Sequence, residues 1–257
     1  MENIDVINFL TGSQARWRIL QALHERPREF GQLRRDLDIP QSTLNRNLSK
    51  LAEEGWVHER EDRVYRLTRL GGFLVAQMQP LADVLAVAGE LAEYPDAFPL
   101  EEFDFDPEKL AEAEWRTAGE NEPYTVINRV RALFEDGQEV LGFTPHYNPA
   151  YIDVSERIAK KEDSRVVGMV PDHQLEAAIE DEHFDLSQFR DAASVEFRIW
   201  DGDIDYSVAL IDGETAVFTG DHGGGMPSVM FESRDDAILE WAREKYEEIY
   251  ERSREVQ

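Results

Sequence analysis

The chain has 257 residues, 42% of them hydrophobic, enough for two ordinary domains each with its own core. Lys and Arg number 27 against 54 Asp and Glu, a formal charge of −27. The absence of cysteine excludes disulfides and thiolate metal sites. With no charged-then-apolar leader at the N-terminus, the expected location is cytoplasmic.

Only five of the basic residues are lysine. Few lysines and many carboxylates suit a halophile, whose molar salt screens charges within about 3 Å. In dilute buffer the same surface would repel itself. The charge is also unevenly placed: residues 1–70 hold 12 basic and 11 acidic residues, the remaining 187 hold 15 and 43. Within residues 12–50 basic residues outnumber acidic ones eight to four, a stretch suited to a polyanion.

Ser13 is placed to cap a helix ending near His24, with Trp17, Leu20 and Leu23 as its inner face, and Pro27 stops it. A second short helix follows in EFGQLRRDL, with Phe30, Leu33 and Leu37 turned inward. After the turn DIP comes QSTLNRNLSKLAEEG, whose Leu44, Leu48 and Leu51 repeat on one helical face. Ser42 and Thr43 stand at its start, where an N-cap role is expected. WVHEREDRVYRLT then reads as two short strands around a turn at Glu61 and Asp62.

Helix, helix, turn, helix and hairpin, with the pattern S-T-L-N-R-x-L-x-x-L-x-x-x-G-W-V running into YRLTRLG, resemble the winged helix-turn-helix of archaeal and bacterial transcription regulators. The resemblance covers residues 3 to about 75. It implies that the second helix of the motif enters the major groove of double-stranded DNA with its N-terminal residues at the base edges. Gln41, Ser42 and Thr43 would then supply short donors, Asn45 or Arg46 would reach bases, and Lys50, Arg60 and Arg63 would neutralise phosphates.

Thr68 is placed to cap a helix from about Arg69 to Ala92. Its apolar window is broken by Gln77, Gln79, Pro80, Asp83 and Glu90, so a buried helix is expected and no membrane span. Its wide apolar stripe packs either on the chain's own second domain or on a twofold mate; a homodimer is the expectation, because one winged helix reads only a half-site. Residues 93–107, EYPDAFPLEEFDFDP, read as an acidic, proline-rich linker or a meander across the surface.

Beyond Asp106 and Pro107, which start a helix, the pattern alternates. A helix stopped by Gly137, a strand EVLGFT, a helix from Pro149 to Lys161, a strand RVVGMV and a helix after Pro171 predict parallel strands. SVEFRIW, YSVALI, TAVFTG and SVMFES follow, separated by turn signals, so the sheet ends antiparallel. Ser233 with Asp236 predicts a capping box for the last helix. The fold class is therefore α+β in two domains: a winged helix-turn-helix (1–70), a connecting or dimerising helix and linker (71–109), and an α/β domain with a mixed sheet (110–257).

DYSVALIDGETAVFTGDHGGGMPSVMFES followed by LEWAREKYEEIYERS resembles the C-terminal domain of FilR-type methanogenesis regulators. That resemblance implies a cytoplasmic transcription factor whose second domain senses a signal or dimerises. A small-molecule effector site is expected where the first parallel strands end, at Thr144, His146 and Tyr147, with Asp221 and His222 opposite.

Such domains also resemble half of a phospholipase-D-type fold, so an enzyme acting on a phosphate-containing substrate is the alternative. That chemistry needs a histidine nucleophile with lysine two residues on. No histidine in the chain has lysine there, and G-x-S-x-G, G-x-x-x-x-G-K and H-E-x-x-H are all missing. Asp181, Glu182 and His183 read as a solvated acidic turn rather than a metal site. No catalytic residue, cofactor or metal is expected. A third reading is a protein-interaction module that binds no DNA.

Overall fold

The computed structural model describes residues 3–60, 63–146, 148–174, 194–221 and 225–256. It is a mixed α+β chain in two compact units, Met1–Asp83 and Val84–Gln257.

The first unit contains α1 (Asn3–Thr11), α2 (Gln14–Glu25), β1 (Arg28–Glu29), α3 (Phe30–Leu37), α4 (Gln41–Glu53), β2 (Val57–Glu59), β3 (Val64–Leu67) and the start of α5 (Arg69–Glu90). Ser13 caps α2 as its sequence position predicts, in extended conformation with its side chain accepting from the Arg16 amide. A Glu29–Gln32 capping box starts α3, and Asp38 ends it with φ 48°. Ile19, Leu20, Leu33, Leu44, Leu48 and Leu51 are all buried in one core. The wing has three strands in the order β1-β3-β2, all antiparallel. The expected hairpin is two of them; α1 and β1 carry no marked period and were not foreseen.

Two expected details differ. Ser42 and Thr43 do not cap α4: its N-cap is Pro40, which has no side-chain hydrogen bond to give, so both residues lie within the helix. The turn residues Glu61 and Asp62 lie outside the described residues. At the far end of the wing, Thr68 accepts from the Gly71 amide and donates to the Gly55 carbonyl, fixing the start of α5. A side chain at Gly71 would meet the Trp56 carbonyl at 2.1 Å, so only glycine allows this close approach.

α5 is not the buried helix that its sequence suggests. Val75 and Val87 are buried, but Leu70, Phe73, Leu81 and Leu85 are 51–61% exposed. Its most apolar 18-residue window has mean hydropathy 1.4 with 17% buried, so by length and composition alone it would also cross a membrane. The polar interruptions are used: Gln79 accepts from Gln21 at 2.9 Å and donates to Asp83 at 2.8 Å.

The second unit adds α6 (Glu108–Glu112), β4 (Glu114–Thr117), α7 (Thr125–Asp136), β5 (Glu139–Phe143), α8 (Pro149–Ile158), β6 (Arg165–Pro171), β7 (Val195–Trp200), β8 (Tyr206–Ile211), β9 (Thr215–Gly220), β10 (Val229–Ser233), α9 (Asp236–Arg252) and β11 (Arg254–Glu255). Its eight strands run β11-β7-β6-β5-β8-β9-β10-β4, with β5, β6 and β7 parallel and every other pairing antiparallel. α9 covers one face, where Phe218 stacks on Phe231 at 4.3 Å beside Trp241. α7 and α8 cover the other, through Val126, Val130, Val154 and Ile158. The helix expected after Pro171 falls largely on residues 175–193, outside the described residues. The cap of α9 is Asp235, accepting from the Ala237 amide, while Ser233 accepts from the Asp235 amide instead of forming the expected box with Asp236.

Residues 91–107 run as a mostly exposed meander that a few buried side chains tie into this unit. Leu91, Tyr94, Ala97, Phe98 and Phe105 are buried in its core, and the Trp241 indole donates to the Glu102 carbonyl at 3.0 Å. A side chain at Gly220 would meet the Ala97 carbonyl at 2.5 Å, so the segment lies against the end of β9.

Candidate nucleic-acid interface

α4 divides its residues sharply. Leu44, Leu48 and Leu51 are buried, and so is Asn47, whose side-chain amide donates to the Thr43 carbonyl at 2.9 Å. Gln41, Ser42, Asn45, Arg46 and Lys50 are exposed on the opposite side, while Thr43 is half-buried. Arg60 and Arg63 flank the wing tip; both are exposed, and Arg63 has φ 59°. Arg63 donates its amide to the Arg60 carbonyl at 2.9 Å, and Arg60 donates its amide to Val64 at 3.1 Å, which fixes the spacing of the two cations. Among the described residues, no carboxylate lies within ion-pair distance of Arg46, Lys50, Arg60 or Arg63.

Not every basic residue of this stretch is available. Arg28 is buried, donating to the Ala22 carbonyl at 3.0 Å and paired with Asp36 and Glu25. Arg16 is buried with its guanidinium 4.1 Å above the Phe9 ring, and its Nε has no partner among the described residues. Burial, and then the nearby charge of Arg46, hold Arg16 below the ordinary arginine range. Arg16 therefore adds positive potential beside Arg46, a contribution that counting charges in sequence did not separate from that of a surface arginine.

In the second unit, Thr144, His146 and Asp221 are brought together at the ends of β5 and β9. The Ser207 hydroxyl donates to Thr144 Oγ1 at 3.1 Å, and Thr144 donates to the His146 carbonyl at 3.2 Å. His146 Nε2 stands 3.5 Å from Asp221 Oδ2, which accepts from the Gly225 amide at 3.0 Å. Tyr147 and His222 lie outside the described residues. Sequence reasoning missed Tyr151 from α8: its phenol is pushed up to about 12, chiefly by burial, with a hydrogen bond to Thr219 acting the other way and Asp221 adding to the rise. Behind these groups is a mainly apolar cavity of about 90 Å³. Among the described residues no three metal-ligating side chains converge. Asp181, Glu182 and His183 lie outside the described residues.

The family model described as "Methanogenesis regulatory protein FilR1, middle domain" matches residues 123–252, and the one described as "HVO_A0261 N-terminal domain" matches residues 4–90. No curated protein matches the chain. Among solved structures, it is similar to TrmBL2, an archaeal chromatin protein whose structure "shows a novel mode of DNA binding", at 15% identity over 95% of this chain and 94% of that one, TM-score 0.41. NucT from Helicobacter pylori is 10% identical over 56% of this chain and all of its own, TM-score 0.44. Quinone-bound YodB from B. subtilis is 25% identical over 32% of this chain and 98% of its own, TM-score 0.29.

Proposed function

The chain belongs to the family of the FilR1 middle domain, and from that membership we propose that it is a DNA-binding transcription regulator. Its first unit meets double-stranded DNA through α4 and the wing. The observation that carries this reading is the face of α4 bearing Asn45, Arg46 and Lys50, exposed and without carboxylate partners among the described residues. Short polar groups at the start of α4 approach the backbone, Arg46 reaches a base edge one turn later, and Lys50, Arg60 and Arg63 take phosphates.

Three finer statements belong to the same proposal. The regulator is a homodimer joined along the exposed apolar face of α5, so residues 1–70 read DNA and 71–109 connect and dimerise. Residues 110–257 respond to a small-molecule effector at the crevice of Thr144, His146 and Asp221, with Tyr147 and His222 as its expected remaining walls. The carboxylate excess supports a cytoplasmic protein of a halophilic archaeon, without a membrane partner.

Selection of bound duplexes from a random pool tests the DNA reading. An enriched sequence for the wild type, lost with Arg46→Ala, is the expected outcome. Enrichment unaffected by Arg46→Ala would move the function away from α4. The competing enzymatic reading predicts turnover of labelled duplex with divalent metal that His146→Ala abolishes; no turnover is expected.

A further inference from the structure

The crevice at the ends of β5 and β9 continues inward. Thr144, Tyr151, Ser207 and Thr219 line both its polar mouth, with His146 and Asp221, and the mainly apolar cavity of about 90 Å³ behind it. The cavity lies between the sheet and the α7–α8 layer, with Val130 and Phe134 on its helical side. Its floor is a row of small residues in register on three neighbouring strands, Ala209 of β8, Gly142 of β5 and Gly168 of β6, closed on the next strand by Phe197.

The two glycines are there for different reasons. A side chain at Gly142 would meet the Val208 carbonyl at 2.6 Å, so the close approach of β8 excludes one. At Gly168 a Cβ would stand 3.4 Å from the Phe197 ring, an ordinary contact, and the residue is outside the left-handed region. Val166, two residues earlier on β6, packs with Val154 and Ile158 of α8, so by strand alternation a Cβ at Gly168 points to the same face as the cavity. Glycine inside a strand weakens it. The fold would accept alanine here, and what the missing methyl preserves is the open volume.

The mouth has a fixed polarity. The Thr144 hydroxyl gives its proton to the His146 carbonyl, which can only accept, so Thr144 in turn accepts the proton of Ser207. Ser207 Oγ, where cavity and crevice meet, is left with its lone pairs. It can accept from a ligand and cannot donate to one.

We propose, on the reading of this crevice as an effector site, that the cavity is its inner subsite and takes the alkyl body of a short-chain alcohol, whose O–H donates to Ser207 Oγ. An apolar cavity of about 150 Å³ takes benzene. One of about 90 Å³ suits a smaller body, a branched chain of about four carbons. A carboxylate offers Ser207 only acceptors and meets Asp221 at the mouth, and an ammonium would lose its hydration against the apolar wall.

Isobutanol titrated into the full chain, followed by NMR at the methyl groups of Val130, Ala209 and Val217, tests this. Saturable shifts at those methyls are expected, with none from isobutyrate over the same concentrations. Gly168→Ala should melt no lower than the wild type yet weaken binding by about fivefold or more, because its methyl occupies the subsite. Ser207→Ala, which leaves the cavity floor intact, should weaken it by about threefold or more. No saturable shift, equal binding of isobutyrate, a lower melting temperature for Gly168→Ala, or an affinity that either variant leaves unchanged would overturn the proposal. The titration contains no DNA and reads occupancy alone, so its failure strikes the ligand class and leaves the crevice open to another effector. Occupancy that leaves the affinity for duplex unchanged would support the subsite and remove its effector role.

Discussion

Arg46 and Lys50 stand one turn apart on α4 and should fail in different ways. If Arg46 reads a base, Arg46→Ala should cost about 1–3 kcal/mol on the specific duplex and little on a scrambled one. Lys50→Ala should weaken both alike and reduce the slope of log K against log salt by about 0.9. Anisotropy titrations over a salt series separate the two, and equal loss on both duplexes for Arg46→Ala would reduce it to a phosphate contact. The leucine face of α4 was readable in sequence because burial follows the helical period; the fates of Arg16 and Arg28 were not, because stacking on Phe9 and pairing with Asp36 are tertiary. The same holds for Arg129 and Glu232, 103 residues apart, which form a two-pronged ion pair with both distances 2.9 Å. Asp235, the cap of α9, illustrates the pH consequence. The Lys109 ammonium, donating to it at 2.8 Å, holds its carboxyl below the ordinary range against some desolvation. A depressed folded-state pKa gives stability that is present above the unfolded carboxylate's pKa of about 3.9 and lost as pH falls through the lower folded value. Acid unfolding of Asp235→Asn should therefore show a smaller loss over that window than wild type; identical profiles would remove Asp235 from the account.

Among the elements, α5 carries the most consequence. Four large apolar side chains on it are at least half exposed, and a stripe of this kind on a regulator is covered by a second copy in the proposal above. Phe73→Glu with Leu85→Glu should turn the dimer into a monomer by light scattering while α4 keeps its fold; a dimer that survives both changes would place the contact elsewhere. The sequence pattern announced the apolar stripe of α5 but not what covers it, since periodicity records which face avoids water and not the partner. Residues 93–107 were hard for the opposite reason: prolines and carboxylates dominate the pattern, and the aromatic anchors Tyr94, Phe98 and Phe105 have no period. β4 and β11, both short strands at sheet edges, also lacked a readable pattern, whereas β5, β6 and the run from β8 to β10 were marked by continuous apolar residues between turn signals.

On the scale of the whole molecule the charge is divided, net +1 over residues 1–70 against −28 over the rest. Counterion release normally weakens DNA binding steeply as salt rises, yet the acidic remainder repels the duplex most at low salt. In the proposed complex, cations held between its carboxylates and the phosphates would offset that repulsion, so binding to the specific duplex should persist in molar potassium chloride. A conventional fall to no detectable binding by about 0.5 M would contradict this part of the account. The two units and the mixed sheet were readable from composition and alternation, whereas the crevice at the ends of β5 and β9, proposed above as an effector site, was only partly so. Thr144, His146 and Asp221 converge, but the half-buried Tyr151 that backs them carries no sequence signal beyond its place on an amphipathic helix.

The most direct test of the central claim is a map of the tagged protein on its host's chromatin, wild type beside Arg46→Ala. Discrete peaks at promoters, absent in the variant at equal protein level, are the predicted result. Peaks unchanged by the substitution, or none in either strain, would contradict a regulator that reads DNA through α4.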